Sequence, residues 1–258
     1  MIKITVITCT FNASETIERT LDSVFTQTYE NVEHLILDGK SKDTTCQIIE
    51  RYIARCQEKN SAHEINFISE PDKGLYDAMN KGLQLAKGDY LVYLNAGDTF
   101  PDENTLGTVA SSVGEDETLP GVLYGDTDVV DEQGHFVRHR RLTPPENLSW
   151  RDFRNGMLVC HQAFYALTSI ARAIPYNIKY RYSADVDWCI RVMKQTEHEG
   201  RPLRNTNTIV ANFLNGGMST TNHRASLRER FSVMADHYGL IPTIMQHLWF
   251  IIRVVLKK

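Results

Sequence analysis

Four short runs of β-favouring residues, 4–8, 32–37, 65–69 and 90–94, alternate with stretches of helical period over the first hundred residues. Ile17, Leu21, Val24 and Phe25 fall on one helix face, and Ile48, Ile49, Tyr52 and Ile53 on one face of the next. Residues 75–87 read as a third helix stopped by Gly88, and Ser14 stands where it can cap the first. Such alternation predicts an α/β fold with a mainly parallel sheet, right-handed crossovers and helices on both faces. The run Tyr90-Leu91-Val92-Tyr93-Leu94 shows no polar alternation, as expected of a strand buried on both faces. Asn95-Ala96-Gly97-Asp98 closes it. Asp98 is thereby expected at the carboxyl end of a central strand, where open α/β sheets bind ligands. A carboxylate there can hold a divalent cation against a diphosphate.

The remaining bounds are mostly exclusions. A net charge of −4 removes the bulk electrostatic case for a nucleic-acid partner. Five scattered cysteines without a CxxC pair indicate reduced, cytoplasmic usage and neither a disulfide framework nor a zinc site. The amino terminus reads as a strand rather than a signal peptide, and no apolar stretch is long enough to span a bilayer. Thr8-Cys9-Thr10-Phe11-Asn12 stands where a dinucleotide-binding GxGxxG would follow the first strand, and no Walker A sequence is present.

Beyond residue 120 the pattern changes. Asp131-Glu132-Gln133-Gly134 is flanked by strand-like segments and reads as a hairpin. An apolar strand leading into Cys160-His161-Gln162, a helix over residues 185–194 and a strand over 208–213 follow. The economical division is one domain in two lobes, residues 1–100 and 120–220, with residues 221–258 as a helical extension. Leu248, Trp249, Phe250, Ile251, Ile252, Val254, Val255 and Leu256 encircle that extension, which ends in Lys257-Lys258. It reads either as an interfacial membrane anchor or as a helix packed on the body.

The ordered motifs Thr8-Cys9-Thr10-Phe11-Asn12, Leu37-Asp38-Gly39-Lys40-Ser41-Lys42-Asp43, Glu70-Pro71-Asp72-Lys73-Gly74-Leu75-Tyr76-Asp77-Ala78-Met79-Asn80-Lys81-Gly82 and Asn95-Ala96-Gly97-Asp98 resemble the inverting family 2 glycosyltransferases. The resemblance is to the bacterial branch that builds capsule, exopolysaccharide or O-antigen repeat units, and it implies the Rossmann-like GT-A fold with a smaller acceptor-side lobe. It implies a nucleoside diphosphate sugar, above all a UDP-sugar, as donor of a hexosyl or N-acetylhexosaminyl group. Thr8, Thr10 and Asn12 would line the first strand-to-helix loop at the nucleotide. Asp38 would accept the N3–H of a uracil; the local alternative for it is turn chemistry with Gly39 and Asp43. Asp72 would contact the nucleoside and Lys73 a phosphate, while Asn80 and Asn95 would also belong to the nucleotide-sugar site, Asn80 orienting it from its helix. Asn95 and Gly97 occupy places where this family commonly carries aspartates, which leaves Asp98 as the one carboxylate for Mn²⁺ or Mg²⁺.

Ser183-Ala184-Asp185-Val186-Asp187-Trp188 resembles the family's base motif, with Asp185 matching the aspartate that removes the acceptor's proton. By the same resemblance His161 and Gln162 belong to the acceptor-side wall. The loop Asn215-Gly216-Gly217-Met218-Ser219 could close over the diphosphate, with His223 as a further metal ligand. Arg138-His139-Arg140-Arg141 reads as a solvated basic face or a contact for an anionic lipid-linked acceptor. The QxxRW sequence of processive synthases is absent, so one sugar per binding event is expected. The acceptor would be a glycan on a polyprenyl diphosphate at the inner face of the membrane. Two rivals are a non-catalytic sugar-nucleotide binder and a nucleotidyltransferase; the second would want a glycine-rich loop with a basic residue after the first strand.

Overall fold

The structure, a computed structural model, describes residues 1–115, 118–216 and 222–256, without the side chains of residues 223, 251 and 253–256. Strands β1 (Ile4–Thr10), β2 (Val32–Asp38), β3 (Glu64–Ser69) and β4 (Tyr90–Tyr93) pair in parallel in the order β3-β2-β1-β4. The crossovers are α1 (Ile17–Phe25), α2 (Thr45–Glu58) and α3 (Leu75–Leu85). Every residue of β1 is buried, so its side chains serve both covering layers. Helix α1 begins later than expected, with Thr16 at its cap position, because the Ser14 N–H is drawn 3.1 Å to Asp43 Oδ2. Ser14 therefore caps nothing.

The same sheet runs on into the second half of the chain. After α4 (Thr105–Ser111) come β5 (Val122–Val130) and β6 (Phe136–His139), which form the expected hairpin. The strand expected before Cys160 is not there. The chain instead enters a 3-10 turn, His161–Ala163, and the strand follows it as β7 (Phe164–Leu167), antiparallel to both β4 and β5. Helices α5 (Thr168–Arg172) and α6 (Ala184–His198) lead to β8 (Leu203–Leu214), parallel to β5. Trp188 of α6 is fully buried, stacked on Tyr176 with ring centres 4.7 Å apart and meeting Tyr93 of β4 and Phe164 of β7 edge-on. This aromatic cluster roots α6 in the core and fixes its first turn beside the end of β4.

Two helices complete the chain, α7 (His223–Tyr238) and α8 (Leu240–Leu256). One face of α8 packs: Thr243 is buried, the His247 ring centre lies 5.0 Å from that of Phe231, and Gln246 bonds Asn155 at 3.2 Å. On the opposite face Leu240, Ile241, Ile244, Met245, Leu248, Trp249 and Ile252 are 42–73% exposed. The i, i+4 spacing of these residues makes one apolar stripe; the side chains of Ile251, Val254, Val255 and Leu256 in the expected encircling set lie outside the described residues. Among the described residues no helix is long and apolar enough to cross a membrane.

Candidate active site

The loops after β1 and β2 meet at the expected end of the sheet. Asn12 has φ 47°, a left-handed conformation that asparagine tolerates. Its amide binds the next loop, accepting from the Lys42 N–H at 2.8 Å, while its own N–H donates to Ser41 Oγ at 2.8 Å. Thr10 ends β1 with a buried hydroxyl that has no partner among the described residues. Thr8 lies deeper than its assigned role needs. Its hydroxyl donates to the Leu94 carbonyl at 2.9 Å and lies 3.0 Å from His34, whose imidazole burial pushes down to about 3. Thr8 is a core residue, not a nucleotide contact.

Asp38 lines one small cavity together with Asp72 and Lys81, and most of its acceptor capacity is turned inward. It is 3% exposed, and its Oδ2 accepts from the Ser41 N–H at 3.0 Å, Ser69 Oγ at 2.6 Å and Cys46 Sγ at 3.2 Å; Ser41 Oγ donates to Oδ1. Burial disfavours the charge, but the bonds from Ser41 and Ser69 outweigh it and hold the carboxyl below its ordinary value. With these donors on it Asp38 braces the loop, while Oδ1, which accepts one bond, keeps a second acceptor position. Asp43 holds the start of α2, accepting from the Thr45 N–H and hydroxyl at 3.0 and 2.6 Å.

Asp72 stands half-buried on the loop after β3. Its Oδ1 accepts from the Gly74 N–H at 2.8 Å, and its Oδ2 overhangs Gly39 so closely that a Cβ there would sit 2.5 Å away. The same Cβ would come within 3.3 Å of the Phe11 ring. Phe11 is 59% exposed. A flat aromatic face beside a carboxylate is a surface on which a base can stack, and sequence reasoning missed Phe11. An aromatic inside the first polar loop was the available signal. Lys73 is exposed on the neighbouring loop. Asn80 does not reach the cleft: its amide accepts from the Tyr176 N–H at 2.6 Å and donates to the Tyr176 carbonyl at 3.0 Å. It staples α3 to the segment before α6, so it is withdrawn as a nucleotide-sugar ligand.

Asp98 lies where the strand reading put it, but it is 5% exposed. Its Oδ1 accepts from the Leu214 N–H at 3.0 Å and its Oδ2 from Gln162 Nε2 at 2.8 Å, so it clamps the end of β8 and the 3-10 turn onto β4. Burial pushes its carboxyl up, against the bonds from Gln162 and Leu214. Gly97 has φ +102°, and a Cβ there would meet Leu214 Cδ2 at 2.6 Å. No second carboxylate can stand at that place without displacing Leu214. Among the described residues no group of three or more His, Cys, Asp or Glu could hold a metal. Each Asp98 oxygen accepts one bond and keeps a second acceptor position. That fits single-carboxylate attachment of a hard ion completed by diphosphate oxygens and water, and does not fit an all-protein cage. The side chain of His223 and residues 217–221 of the expected closing loop lie outside the described residues.

The first turn of α6 separates its two acids. Asp187 is buried and spent: its Oδ2 accepts from Arg191 Nε at 2.8 Å and its Oδ1 pairs with His237 Nε2 at 2.8 Å, which ties α6 to α7. The Asp185 side chain keeps 18% exposure. Its Oδ1 accepts from the Val186 N–H at 2.9 Å and the Tyr76 hydroxyl at 3.3 Å, and its Oδ2 lies 3.6 Å from His161 Nδ1. Burial would raise its pKa, but His161 and the charge of Arg230 outweigh burial and hold it below the ordinary value. Asp185 is therefore ionised at neutral pH. His161 Nε2 lies 3.2 Å from Asn95 Nδ2, so Asn95, His161 and Asp185 form one contiguous row. Of the basic cluster, Arg140 is consumed by the carbonyls of Leu142 and Leu158 at 2.7 and 3.0 Å, while β6 is exposed throughout.

A family model for glycosyl transferase family 2 matches residues 5–172. Over 214 residues the chain is 32% identical to a PGL/p-HBAD biosynthesis glycosyltransferase of Mycobacterium bovis, covering 82% of this chain and 77% of that one. Staphylococcus aureus TarS 1–349, solved with UDP-GlcNAc, superposes with TM-score 0.71 at 16% identity, over 96% of this chain and 73% of that one. Glucosyl-3-phosphoglycerate synthase of Mycobacterium tuberculosis, solved with Mn²⁺, UDP and glucosyl-3-phosphoglycerate, gives TM-score 0.62 at 15% identity, over 93% and 81%. The chain belongs to glycosyl transferase family 2, and its fold is the GT-A fold. Sugar transfer is the class of activity that follows from this membership.

Proposed function

We propose that the protein transfers a single sugar, with inversion, from a UDP-sugar to a glycan hydroxyl, and that Asp185 is the base. The observation that carries this reading is the contrast at α6: one aspartate of the turn is locked into ion pairs, while the other is ionised, partly open and facing the end of β4. In the step, the acceptor oxygen attacks C1, its proton passes to Asp185, and the C1–O bond to the diphosphate breaks with its electron pair leaving on UDP. Phe11 stacks the uracil and Asp72 takes over the polar contact first assigned to Asp38; Lys73 lies within the same loop for phosphate. Asp98 would be the residue to hold Mn²⁺ or Mg²⁺, whose chemistry there would be to neutralise charge on the departing diphosphate. Residues 1–220 form the catalytic unit in this reading.

Thermal stability tests the donor and metal assignments together. UDP at a hundredfold over its Kd with Mn²⁺ present should add about 2.7 kcal/mol. Mn²⁺ without nucleotide should give no shift, because the protein alone supplies too few ligands. A shift with GDP in place of UDP would remove uracil recognition from the loop, and no shift with any nucleotide would overturn nucleotide-sugar binding itself, in the catalytic reading and in the non-catalytic binder alike.

The exposed stripe of α8 supports a cytoplasmic enzyme lying on the inner face of a membrane, next to a polyprenyl-diphosphate-linked acceptor. The occupant argued for is an anionic lipid surface. From residue 237 to 258 the sequence has no acidic residue, while Arg253, Lys257 and Lys258 are basic, and Trp249 sits within the apolar stripe. Cosedimentation with phosphatidylglycerol vesicles should be strong, weak with phosphatidylcholine, and abolished in the double variant Leu248→Glu, Trp249→Glu. A concentration-dependent dimer without vesicle binding would assign the stripe to a second copy instead.

A further inference from the structure

The 3-10 turn His161–Ala163 presents two consecutive side chains to the two acids of the cleft: Gln162 to Asp98 and His161 to Asp185. The first contact is a buried clamp. The second is different in kind, because the His161 side chain keeps 14% exposure and stands between Asp185 and Asn95. The Asn95 amide lies 3.2 Å from His161 Nε2 and its oxygen has no other partner among the described residues, so it can donate to Nε2 or, turned over, accept from it; the Asp185 carboxylate beside Nδ1 favours the ring's proton on Nδ1. Doubly protonated, the ring would carry an N–H on Nδ1 as well. Val186 and Tyr76 hold Oδ1 of Asp185, so Oδ2, with a free acceptor position, is the oxygen left to take a proton. His161 is the side chain that faces Oδ2.

We propose that His161 is a positioning residue for this base: through Nδ1–H it orients Oδ2 of Asp185 and links it, by way of Asn95, to the end of β4 beside the donor. This rests on the reading of Asp185 as the base. The 3.6 Å separation is longer than a hydrogen bond, as catalytic contacts often are before substrate closes them.

Two measurements on the full chain test it. The first is ¹⁵N NMR of histidine-labelled protein, with the His161 signals assigned by their loss in His161→Asn. The neutral wild-type ring should be the Nδ1–H tautomer and should revert toward Nε2–H in Asp185→Asn. A His161 that is Nε2–H in the wild type, or that is indifferent to Asp185→Asn, overturns the link. The second is UDP release from whichever of UDP-glucose, UDP-galactose and UDP-GlcNAc is turned over fastest. Misplacing a reacting group by about 1 Å costs on the order of 10²-fold, so His161→Ala should lose about that in kcat with KM nearly unchanged. His161→Asn, whose amide N–H can replace Nδ1–H, should recover most of it; His161→Gln, which reaches the Nε2 position, should not. Full activity in His161→Ala beside an inactive Asp185→Asn overturns the role of His161 and leaves the base in place. Full activity in Asp185→Asn overturns the base itself.

Discussion

Replacing Asp185 with Asn should lower sugar transfer by about 10²- to 10⁴-fold, the range a positioned general base contributes. UDP binding should survive, because no atom of Asp185 lies in the Phe11, Gly39 and Asp72 surface. The urea midpoint should scarcely move: Asn keeps the shape, and the Val186 N–H and Tyr76 hydroxyl still find an oxygen. The same change at Asp187 should do the reverse. There the carboxylate bonds both Arg191 and His237 in a buried setting, and removing its charge leaves the guanidinium and the imidazole facing an amide. Losing one partner of a buried pair costs about 3–5 kcal/mol at the upper end, so Asp187→Asn should lower the midpoint clearly while active protein remains at low temperature. Two aspartates one residue apart would then separate, one by rate and one by stability. An Asp185→Asn protein that transfers sugar at the wild-type rate would remove the base assignment. The pH profile adds a sign: because Asp185 is held below its ordinary pKa, transfer should persist to acid pH, and its acid limb should move upward when His161 is removed.

The strands were legible because a strand buried on both faces is mostly apolar: β4 is an unbroken run, and β1 and β2 keep apolar stretches around Thr5, Thr8, Glu33 and His34. Burial on both faces also hid the polar exceptions. Thr8 looks like a loop residue in the sequence, yet it faces His34 and the Leu94 carbonyl inside the sheet. The bracing role of Asp38 was hidden for a related reason: its donors come from the following loop, from α2 and from β3, at separations of 3, 8 and 31 residues. A motif reading sees the first of these and not the others. Asn80 likewise finds its partner 96 residues away, at Tyr176. The division of labour between Asp185 and Asp187 depends on His237, fifty residues downstream, so local pattern could name the pair but not show which member was spent. Register and periodicity are local properties, whereas hydrogen-bond saturation is set by tertiary neighbours.

Asp38→Ala tests that saturation directly and should be among the more destabilising single changes in the amino-terminal half. Deleting the carboxylate leaves the Ser41 N–H, fixed by the backbone, without its acceptor, and strands the hydroxyls of Ser41 and Ser69 in a nearly closed space. Orphaning one buried donor costs about 1–3 kcal/mol, and the two hydroxyls can partly rotate to new partners, so a total near 2–4 kcal/mol is expected from urea unfolding. The pH dependence has a definite sign. The Asp38 carboxyl is depressed in the folded protein, so its contribution is present above the unfolded pKa, near the ordinary aspartate value of 3.8, and is lost as pH falls through the folded value. The gap between wild type and Asp38→Asn should therefore be full at pH 6 and close progressively below pH 4. UDP affinity should fall in Asp38→Ala, since the braced loop carries Gly39 under Asp72 and Phe11. It should fall equally for UDP and for GDP, because a brace does not read the base. A loss confined to UDP, with stability unchanged, would return Asp38 to the uracil and make Asp72 the brace.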